Sequence, residues 1–316
     1  SAGFIITEAT QVSAQAKGYQ GAPGLHSDAQ ERAWAKITQA VHAKGGRIGV
    51  QLWHTGLISH QSLQPDLQAP ISASATQDLI TRTSLQDSTG QVYRVATTPS
   101  RAASSADIQQ VIADFAAATR RARAAGFDFV EIHGAHGYLL HQFLVAAINH
   151  RDDAYGGSRE NRAKFPLAVL DITHKMVRQY ADDAFIIGYR FSPEEMEVPG
   201  IRFDDTMYLL EKLAARGVDY LHFSVGATLR PSIVDTQDPT PLIEKYCAMR
   251  SETLAQVPVM GVGGVVNASD VNEALDHGYD LIAVGRATIA YPDWTDRIAA
   301  GETLELFMDS TQREAL

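Results

Sequence analysis

The sequence predicts an α/β protein built as a TIM (β/α)8 barrel, and three observations support that fold class. Short apolar runs that suit buried strands alternate with helix-like segments along the chain of 316 residues. The composition shows no break between the two halves, and the length suits one large barrel. No Gly-x-Gly-x-x-Gly motif follows the first strand, which disfavours a doubly wound sheet, the main alternative.

About seven strands are predicted, because seven short runs are rich in β-branched or aromatic residues and end at polar residues or glycines. Strands that alternate with helices pair in parallel, so their carboxyl ends meet at one edge of the sheet. One strand of an eight-stranded barrel is therefore missing from the count. The predicted strands cover residues 4–10, 47–53, 127–132, 185–191, 220–224, 258–262 and 281–286.

Helices are predicted where apolar residues recur at helical spacing between capping residues. Ser27 and Asp107 suit the starts of the first two helices, and Gly126 and Gly217 suit helix ends. The predicted helices cover residues 29–43, 108–125, 159–180, 204–216, 243–256, 270–277 and 294–300.

Residues 57–104 show neither the apolar spacing of a helix nor the alternation of a strand. Their prolines and many Ser, Thr and Gln residues indicate a long excursion from the barrel. Within it, two strand-like runs flank Asp87-Ser88-Thr89-Gly90, which predicts a hairpin. A loop of this length in a compact domain is usually a lid or binding element. We therefore expect one domain over residues 1–316, with a hairpin-containing lid at about 57–104.

Composition narrows the class of partner. Lys and Arg total 27 against 37 Asp and Glu, and the net charge of −10 disfavours nucleic acid and anionic membrane surfaces. Cys247 is the only cysteine, which excludes an internal disulfide framework. Neither an apolar run of about 18 residues nor a signal peptide is visible. We expect a cytoplasmic monomer or homodimer that acts on a small molecule.

The most distinctive motif follows the third predicted strand, at the edge where parallel barrels place catalytic side chains. In a strict strand His133 and His136 would point to opposite faces. Gly134 and Gly137 let the chain turn, so that both imidazoles and the Tyr138 phenol can converge on one ligand. The alternative is a structural histidine pair at a helix start. Because no third ligand stands at suitable spacing, no metal site is predicted.

A phosphate site is predicted at the ends of the last two strands. Gly263 and Gly264 follow one strand, and Gly285 and Arg286 end the other. Loops at these positions form the recurrent phosphate site of TIM barrels, where glycines allow close backbone approach and an arginine adds a permanent charge. Ordinary turn chemistry explains the glycines but not the arginine.

Two polar residues lie in otherwise apolar strands. Arg190 needs an anionic partner or dense hydrogen bonding, and an ion pair with Glu131 is the alternative to a ligand. Gln51 can offer an amide donor and acceptor to the edge of a heterocycle. Together with the phosphate site, these residues suit a phosphate-bearing, aromatic cofactor at the barrel mouth.

Longer stretches make a family resemblance specific. Residues 51–54 read Gln-Leu-Trp-His, residues 133–143 read His-Gly-Ala-His-Gly-Tyr-Leu-Leu-His-Gln-Phe, and residues 149–162 read Asn-His-Arg-Asp-Asp-Ala-Tyr-Gly-Gly-Ser-Arg-Glu-Asn-Arg. These stretches resemble the old yellow enzyme family of FMN-dependent ene-reductases, and the similarity covers nearly the whole chain. The resemblance implies FMN as cofactor and NADPH or NADH as reductant.

The resemblance also implies a role for each matching residue. The positions that match contacts to the flavin ring are Ala9, Gln51 and Arg190, and those that match its phosphate cradle are Gly263, Gly264, Gly285 and Arg286. The positions that match substrate contacts are His133 and His136, which bind the substrate's oxygen, Trp53, which lines the pocket, and Tyr138, the proton donor.

The implied reaction is a ping-pong reduction of an activated alkene, such as an α,β-unsaturated carbonyl or a nitro compound. NAD(P)H reduces the flavin and leaves, and the flavin then gives a hydride to the alkene. His133 and His136 would hold the developing oxyanion while Tyr138 protonates the α-carbon. A phenol with a pKa near ~10 is protonated at neutral pH.

One departure from the family is expected. Its members carry an N-terminal segment that holds the first barrel strand, whereas this sequence begins at what resembles the second strand. We therefore expect the first strand to be absent, with FMN binding and activity depending on it. Two alternatives follow: a non-catalytic flavin-binding remnant, and a barrel lyase or isomerase that uses the phosphate cradle for another ligand.

Overall fold

A computed structural model describes residues 2–77, 81–180 and 184–306 of the chain. The strands are β1 (Ile5–Gln11), β2 (Ile48–Trp53), β3 (Ile71–Ser72), β4 (Arg82–Gln86), β5 (Val92–Ala96), β6 (Arg101–Ala102), β7 (Phe129–Gly134), β8 (Ile186–Phe191), β9 (Tyr220–Phe223), β10 (Val259–Val262) and β11 (Leu281–Ala283). The α-helices are α1 (Asp28–His42), α2 (Ser105–Ala124), α3 (Leu139–Leu144), α4 (Arg159–Tyr180), α5 (Phe203–Ala214), α6 (Leu242–Met249), α7 (Glu252–Ala255), α8 (Ala268–Asp276), α9 (Arg286–Ala290) and α10 (Trp294–Ala299).

Seven strands form one parallel sheet in the order β1-β2-β7-β8-β9-β10-β11, which is also their order along the chain. This is the strand order of a TIM barrel, and it confirms the predicted alternation of strands and helices. Among the described residues, β1 pairs only with β2 and β11 only with β10, so the sheet has two free edges.

The two faces of the sheet have different surroundings. On the outer face, helices bury a large core that includes Phe115, Phe165 and Tyr246. On the inner face, Phe129, Tyr220 and Met260 form a separate small core. Because both faces are covered, β2 and β7 are buried along their whole length, as parallel strands are expected to be.

The register of the strands places polar side chains in two levels on the inner face. Partners in parallel strands share a face, and so do residues two apart in one strand. The lower level contains Gln51, Glu131, Gly188 and Tyr220, and the upper level contains His133, Arg190 and His222. A Cβ atom at Gly188 would lie 2.0 Å from the Tyr220 ring, so the glycine makes room for that ring.

Most helix bounds agree with those predicted from the sequence, but two of the predicted helices differ. Ser27 caps α1 as predicted, but the cap of α2 is Ser104 rather than Asp107. The Asp107 carboxylate instead receives hydrogen bonds from the backbone N–H and hydroxyl of Ser104, so it completes a capping box from inside the helix. The single helix predicted for residues 243–256 is two helices, because Arg250 is extended and Ser251 starts a new cap.

The predicted hairpin is confirmed, since β4 and β5 pair antiparallel from Arg82–Ala96 to Gln86–Val92. The hairpin contacts the loop before α1, where Thr83 donates its hydroxyl to the Gly18 carbonyl and Ser84 forms a bridge with Tyr19. Residues 78–80 of the excursion, and residues 1, 181–183 and 307–316 of the expected domain, lie outside the described residues.

Candidate active site

Five rings converge above the carboxyl ends of β2 and β7. The Trp53 ring stacks on Tyr19 with centroids 5.7 Å apart, and Tyr138 meets Trp53 edge-on at 4.6 Å. The centroid of His133 lies 5.0 Å from Tyr138 and 5.1 Å from His136. The predicted convergence of both imidazoles with the phenol is therefore present in the structure.

The hydrogen bonds of His133 select one tautomer. The backbone N–H of Ala135 donates to His133 Nδ1 at 3.3 Å, so a neutral ring carries its proton on Nε2. Burial, followed by the nearby charges of His136 and Arg190, holds the pKa of His133 well below its usual value. His133 is therefore a neutral side chain whose Nε2–H can donate to a ligand.

His136 sits in a constrained turn. Its backbone has φ of +58°, a conformation that non-glycine residues rarely adopt, and Gly137 follows at +70°. The backbone N–H donates to Ser192 Oγ at 3.1 Å, and the ring Nε2 forms a hydrogen bond with Ser224 Oγ. Desolvation by the surrounding protein, together with Arg190, lowers the pKa of His136 to about 4.

The Tyr138 phenol has a second tyrosine as its partner. The hydroxyls of Tyr19 and Tyr138 lie 3.1 Å apart, within hydrogen-bond distance. Burial and then the neighbouring Tyr19 raise the pKa of Tyr138 above its ordinary value. The Tyr138 phenol therefore stays protonated across the physiological pH range.

Contacts from α3 and from the loop after β8 support the turn that carries these residues. His141 Nδ1 accepts a hydrogen bond from the Gly137 backbone N–H at 2.8 Å, so a neutral His141 bears its proton on Nε2. That nitrogen lies 3.4 Å from Glu195 Oε1 in a largely buried contact. Burial lowers the pKa of His141 to about 3 and raises that of Glu195 to about 7.

Arg190 is half-buried at the same mouth and does not form the ion pair with Glu131 that the sequence left open. Its Nε donates to Ser224 Oγ at 3.2 Å. Glu131 instead accepts from Gln51 Nε2 at 2.5 Å and from Tyr220 and His222 at 2.9 Å each. The guanidinium thus keeps donors for a ligand, and the Gln51 amide is held beside it.

Ala9 and the glycine positions lie around this cluster. Ala9 of β1 is the register partner of Gln51. Strands β10 and β11 pair up to Val262 and Ala283, which brings the turn of Gly263 and Gly264 next to that of Gly285 and Arg286. A Cβ at Gly263 would lie 2.6 Å from the Val225 carbonyl oxygen, so this position requires glycine for the fold itself.

Two features of the mouth fit an FMN. A Cβ at Gly285 would meet no protein atom within 4 Å, so open space adjoins the exposed Gly285 and Arg286, as a phosphate group needs. Among the described residues Arg190 has no carboxylate partner, so it offers a cation that suits the electron-rich edge of a reduced flavin. Within residues 2–77, 81–180 and 184–306, no group of three or more His, Cys, Asp or Glu side chains could hold a metal ion.

Sequence reasoning missed Tyr19, Ser224 and His222. Tyr19 lies in a loop far from Tyr138 along the chain, and Ser224 follows β9 in the same way that polar residues follow β2 and β7. The signal available for Ser224 was its position directly after a strand. For Tyr19 the only signal was an aromatic residue in a glycine-rich loop.

Comparisons with known proteins agree with this geometry. The family model of the NADH:flavin oxidoreductase / NADH oxidase family matches residues 1–305. An NADH:fumarate oxidoreductase of Klebsiella pneumoniae (strain 342) is 62% identical over 316 residues, which is 100% of this chain and 32% of the relative. An NADH:acrylate oxidoreductase of Vibrio harveyi is 43% identical over 315 residues, which is 100% of this chain and 30% of the relative.

The chain thus spans about a third of the length of these two relatives. A solved structure of an old yellow enzyme homologue from Zymomonas mobilis superposes with a TM-score of 0.82 at 29% identity. The superposition covers 98% of this chain and 83% of that one. In the described part of the chain, no helix is both long and apolar enough to cross a membrane.

Proposed function

The chain belongs to the NADH:flavin oxidoreductase / NADH oxidase family, and we propose that it uses FMN to transfer a hydride from NADH to the C=C bond of an activated alkene. The resemblance to old yellow enzymes is confirmed by the family match and the structural similarity. The observation that carries the proposal is the convergence of a neutral His133 Nε2–H, His136 and a protonated Tyr138 at one mouth.

We assign the two ends of the FMN to two groups of residues. Gln51, Ala9 and Arg190 would contact the ring, with Arg190 offsetting negative charge on the reduced form. Bound FMN supplies the hydride chemistry, taking a hydride from NADH in one half-reaction and giving it to the alkene in the other. The proposed phosphate contacts are Gly263, Gly264, Gly285 and Arg286.

His133 and His136 would bind the oxygen of the activating group. Negative charge develops on that oxygen as the β-carbon accepts a hydride, and donors fixed in advance stabilise it. The names of the two relatives point to fumarate and acrylate, which are alkenes activated by a carboxylate. α,β-Unsaturated carbonyls and nitro compounds present an oxygen in the same position, and Trp53 would line their pocket.

Tyr138 would donate the proton to the α-carbon. A general acid must carry its proton at the working pH, and burial beside Tyr19 ensures this. Its ring lies 5.0 Å from that of His133, so one ligand can contact both residues.

Replacing Tyr138 with Phe tests the proposal. We expect alkene turnover in the FMN-loaded protein to fall by about 10²- to 10⁴-fold, while the rate at which NADH reduces the flavin stays within about twofold of wild type. Tyr208→Phe, a change at a tyrosine of helix α5 outside the proposed site, is the matched control. Wild-type alkene turnover in Tyr138→Phe would show that another group is the acid.

The length of the relatives favours a second candidate. Because this chain matches only about a third of each, the region it represents can oxidise NADH while the alkene is reduced elsewhere in a longer protein. In that case NADH would bleach the flavin of this chain, but neither fumarate nor acrylate would restore it. Restoration by either alkene supports the first candidate instead.

Several finer points belong to the same proposal. We propose that an eighth strand, the first in barrel order, pairs with the free edges of β1 and β11. Residues 1–316 would act as one domain, with the hairpin excursion as a lid over the mouth.

We also propose that the protein is a cytoplasmic monomer or homodimer. We propose NADH as the reductant in preference to NADPH, because the family and both relatives are named for NADH.

A further inference from the structure

Glu131 is a buried acidic group for which the proposed reaction has no use. It lies in β7, two residues before His133 and on the same face of the sheet, and its side chain is 0% exposed. Isolated buried charges are strongly unfavourable, so such a residue needs compensating partners. The groups that contact Glu131 indicate how it acts on the proposed flavin site.

Three donors form hydrogen bonds with the Glu131 carboxylate. Gln51 Nε2 donates to Oε1 at 2.5 Å, and both the Tyr220 hydroxyl and His222 Nδ1 donate to Oε2 at 2.9 Å. Burial by itself would raise the pKa of Glu131, but the charges of His222 and Arg190 and the hydrogen bonds outweigh burial and lower it. Glu131 is therefore ionised.

The Glu131 carboxylate fixes the orientation of Gln51. An amide reversed about its last torsion would place Gln51 Oε1 against a carboxylate oxygen, where two acceptors repel each other. With Nε2 committed to Glu131, the Gln51 oxygen and its second N–H are left for a ligand. Gln51 can then present one acceptor and one donor in fixed places.

Glu131 also acts on Arg190 through space. Arg190 lies one level above Glu131 in the neighbouring strand and bonds only a hydroxyl, Ser224 Oγ, in the described structure. Burial lowers the pKa of Arg190, and the attraction of Glu131 is the largest effect that opposes burial. The Glu131 carboxylate thus partly offsets the positive charge that Arg190 presents at the mouth.

We propose that Glu131 is a positioning and tuning residue, which orients the Gln51 amide and lowers the reduction potential of bound FMN by offsetting the charge of Arg190. The inference rests on the proposed FMN site. Reduction places negative charge on the flavin ring, so a fixed anion beneath that ring opposes reduction. A cation in the same place favours reduction, and the two charges together set the potential.

The test is the two-electron reduction potential of FMN in Glu131→Gln, measured by equilibration with a reference dye in the absence of substrate. Gln has the same shape and can still accept hydrogen bonds, but it lacks the charge. We expect the equilibrium to shift at least tenfold towards reduced flavin, which is about 30 mV for a two-electron couple. Tyr220→Phe keeps the charge while removing one hydrogen bond, and should shift the potential by less than half of that.

A second comparison covers the case in which Glu131→Gln alone does not fold. Arg190→Gln removes the opposing charge, so the double variant Arg190→Gln/Glu131→Gln contains neither. We expect the double variant to have a higher potential than Arg190→Gln. An equal or lower potential in both comparisons would overturn the tuning role of Glu131, provided that FMN binds. Failure of the wild-type protein to bind FMN would instead overturn the proposed function.

Discussion

At the scale of single residues, the proposed role of Tyr138 depends on how its phenol is held. Its partner is Tyr19, whose ring also stacks on Trp53. This arrangement keeps the Tyr138 hydroxyl in place beside His133. We therefore expect Tyr19 to hold the proposed proton donor, Tyr138, in place and not to donate the proton itself.

Replacing Tyr19 with Phe should therefore have a small effect. A hydrogen bond between neutral groups contributes about 1 kcal/mol, which corresponds to roughly a fivefold loss of alkene turnover. The change keeps the stacked ring on Trp53, and stopped-flow measurement of each half-reaction would place the loss in alkene reduction. A loss as large as that of Tyr138→Phe would contradict the assignment and make Tyr19 the acid.

Residue types and spacing predicted the convergence of His133, His136 and Tyr138, because a single turn carries all three. Spacing could not predict Tyr19, Ser224 or His222, which reach the site from other strands and loops. The open question of an Arg190–Glu131 ion pair also needed the structure. Only the register shows that Glu131 faces Gln51, Tyr220 and His222 instead.

At the scale of elements, the two glycine turns after β10 and β11 make different demands. Gly263 has φ of +122° and a crowded backbone, whereas Gly285 has φ of −105° and open space. Both turns match the same proposed phosphate site, but only one of them requires glycine for folding.

Gly285→Ala should therefore leave stability within about 0.5 kcal/mol of wild type and weaken FMN binding by at least about tenfold. Gly263→Ala should lower the free energy of unfolding by about 1–3 kcal/mol, because alanine is strained at that φ. Chemical denaturation without FMN and flavin fluorescence titration measure the two effects. Unchanged FMN affinity in Gly285→Ala would place the phosphate elsewhere.

The contact between α3 and the loop after β8 predicts a dependence of stability on pH. The pKa of Glu195 rises from 4.5 to about 7 on folding. Between these values the unfolded chain releases its proton while the folded chain keeps it, so stability falls as pH rises through this window. The fall is at most about 3 kcal/mol.

Denaturation of wild type and Glu195→Gln between pH 4.5 and 7.5 isolates this effect, because other titrating groups are common to both proteins. The free energy of unfolding of wild type minus that of Glu195→Gln should decrease as the pH rises. Glu273→Gln removes an exposed carboxyl from α8 rather than from this loop and should reproduce the wild-type slope. Equal slopes in wild type and Glu195→Gln would mean that folding does not raise the pKa of Glu195.

Element types and order followed from periodicity, since short β-branched runs and amphipathic segments predict strands and helices reliably. Element ends did not, because they depend on side-chain bonds. Asp107 resembles a cap in the sequence, yet Ser104 takes that position because its hydroxyl reaches the N–H of Asp107. The break at Arg250 likewise depends on a local backbone change that the apolar pattern does not encode.

At the scale of the whole molecule, the parallel sheet brings the proposed site residues of several strands to one mouth. The proposed ring contacts come from β1, β2 and β8, and the proposed phosphate contacts follow β10 and β11. A cofactor that contacts both groups would lie across the mouth. The proposed function requires this common site.

Anaerobic titration of the FMN-loaded chain with NADH, followed by an activated alkene, tests whether this site is functional. We expect NADH to bleach the visible absorbance of the flavin and acrylate, fumarate or cyclohexenone to restore it. Tyr138→Phe should bleach like wild type but recover at least about 10²-fold more slowly. A chain that binds FMN but is not bleached by NADH would show that this mouth does not transfer a hydride from NADH to the flavin.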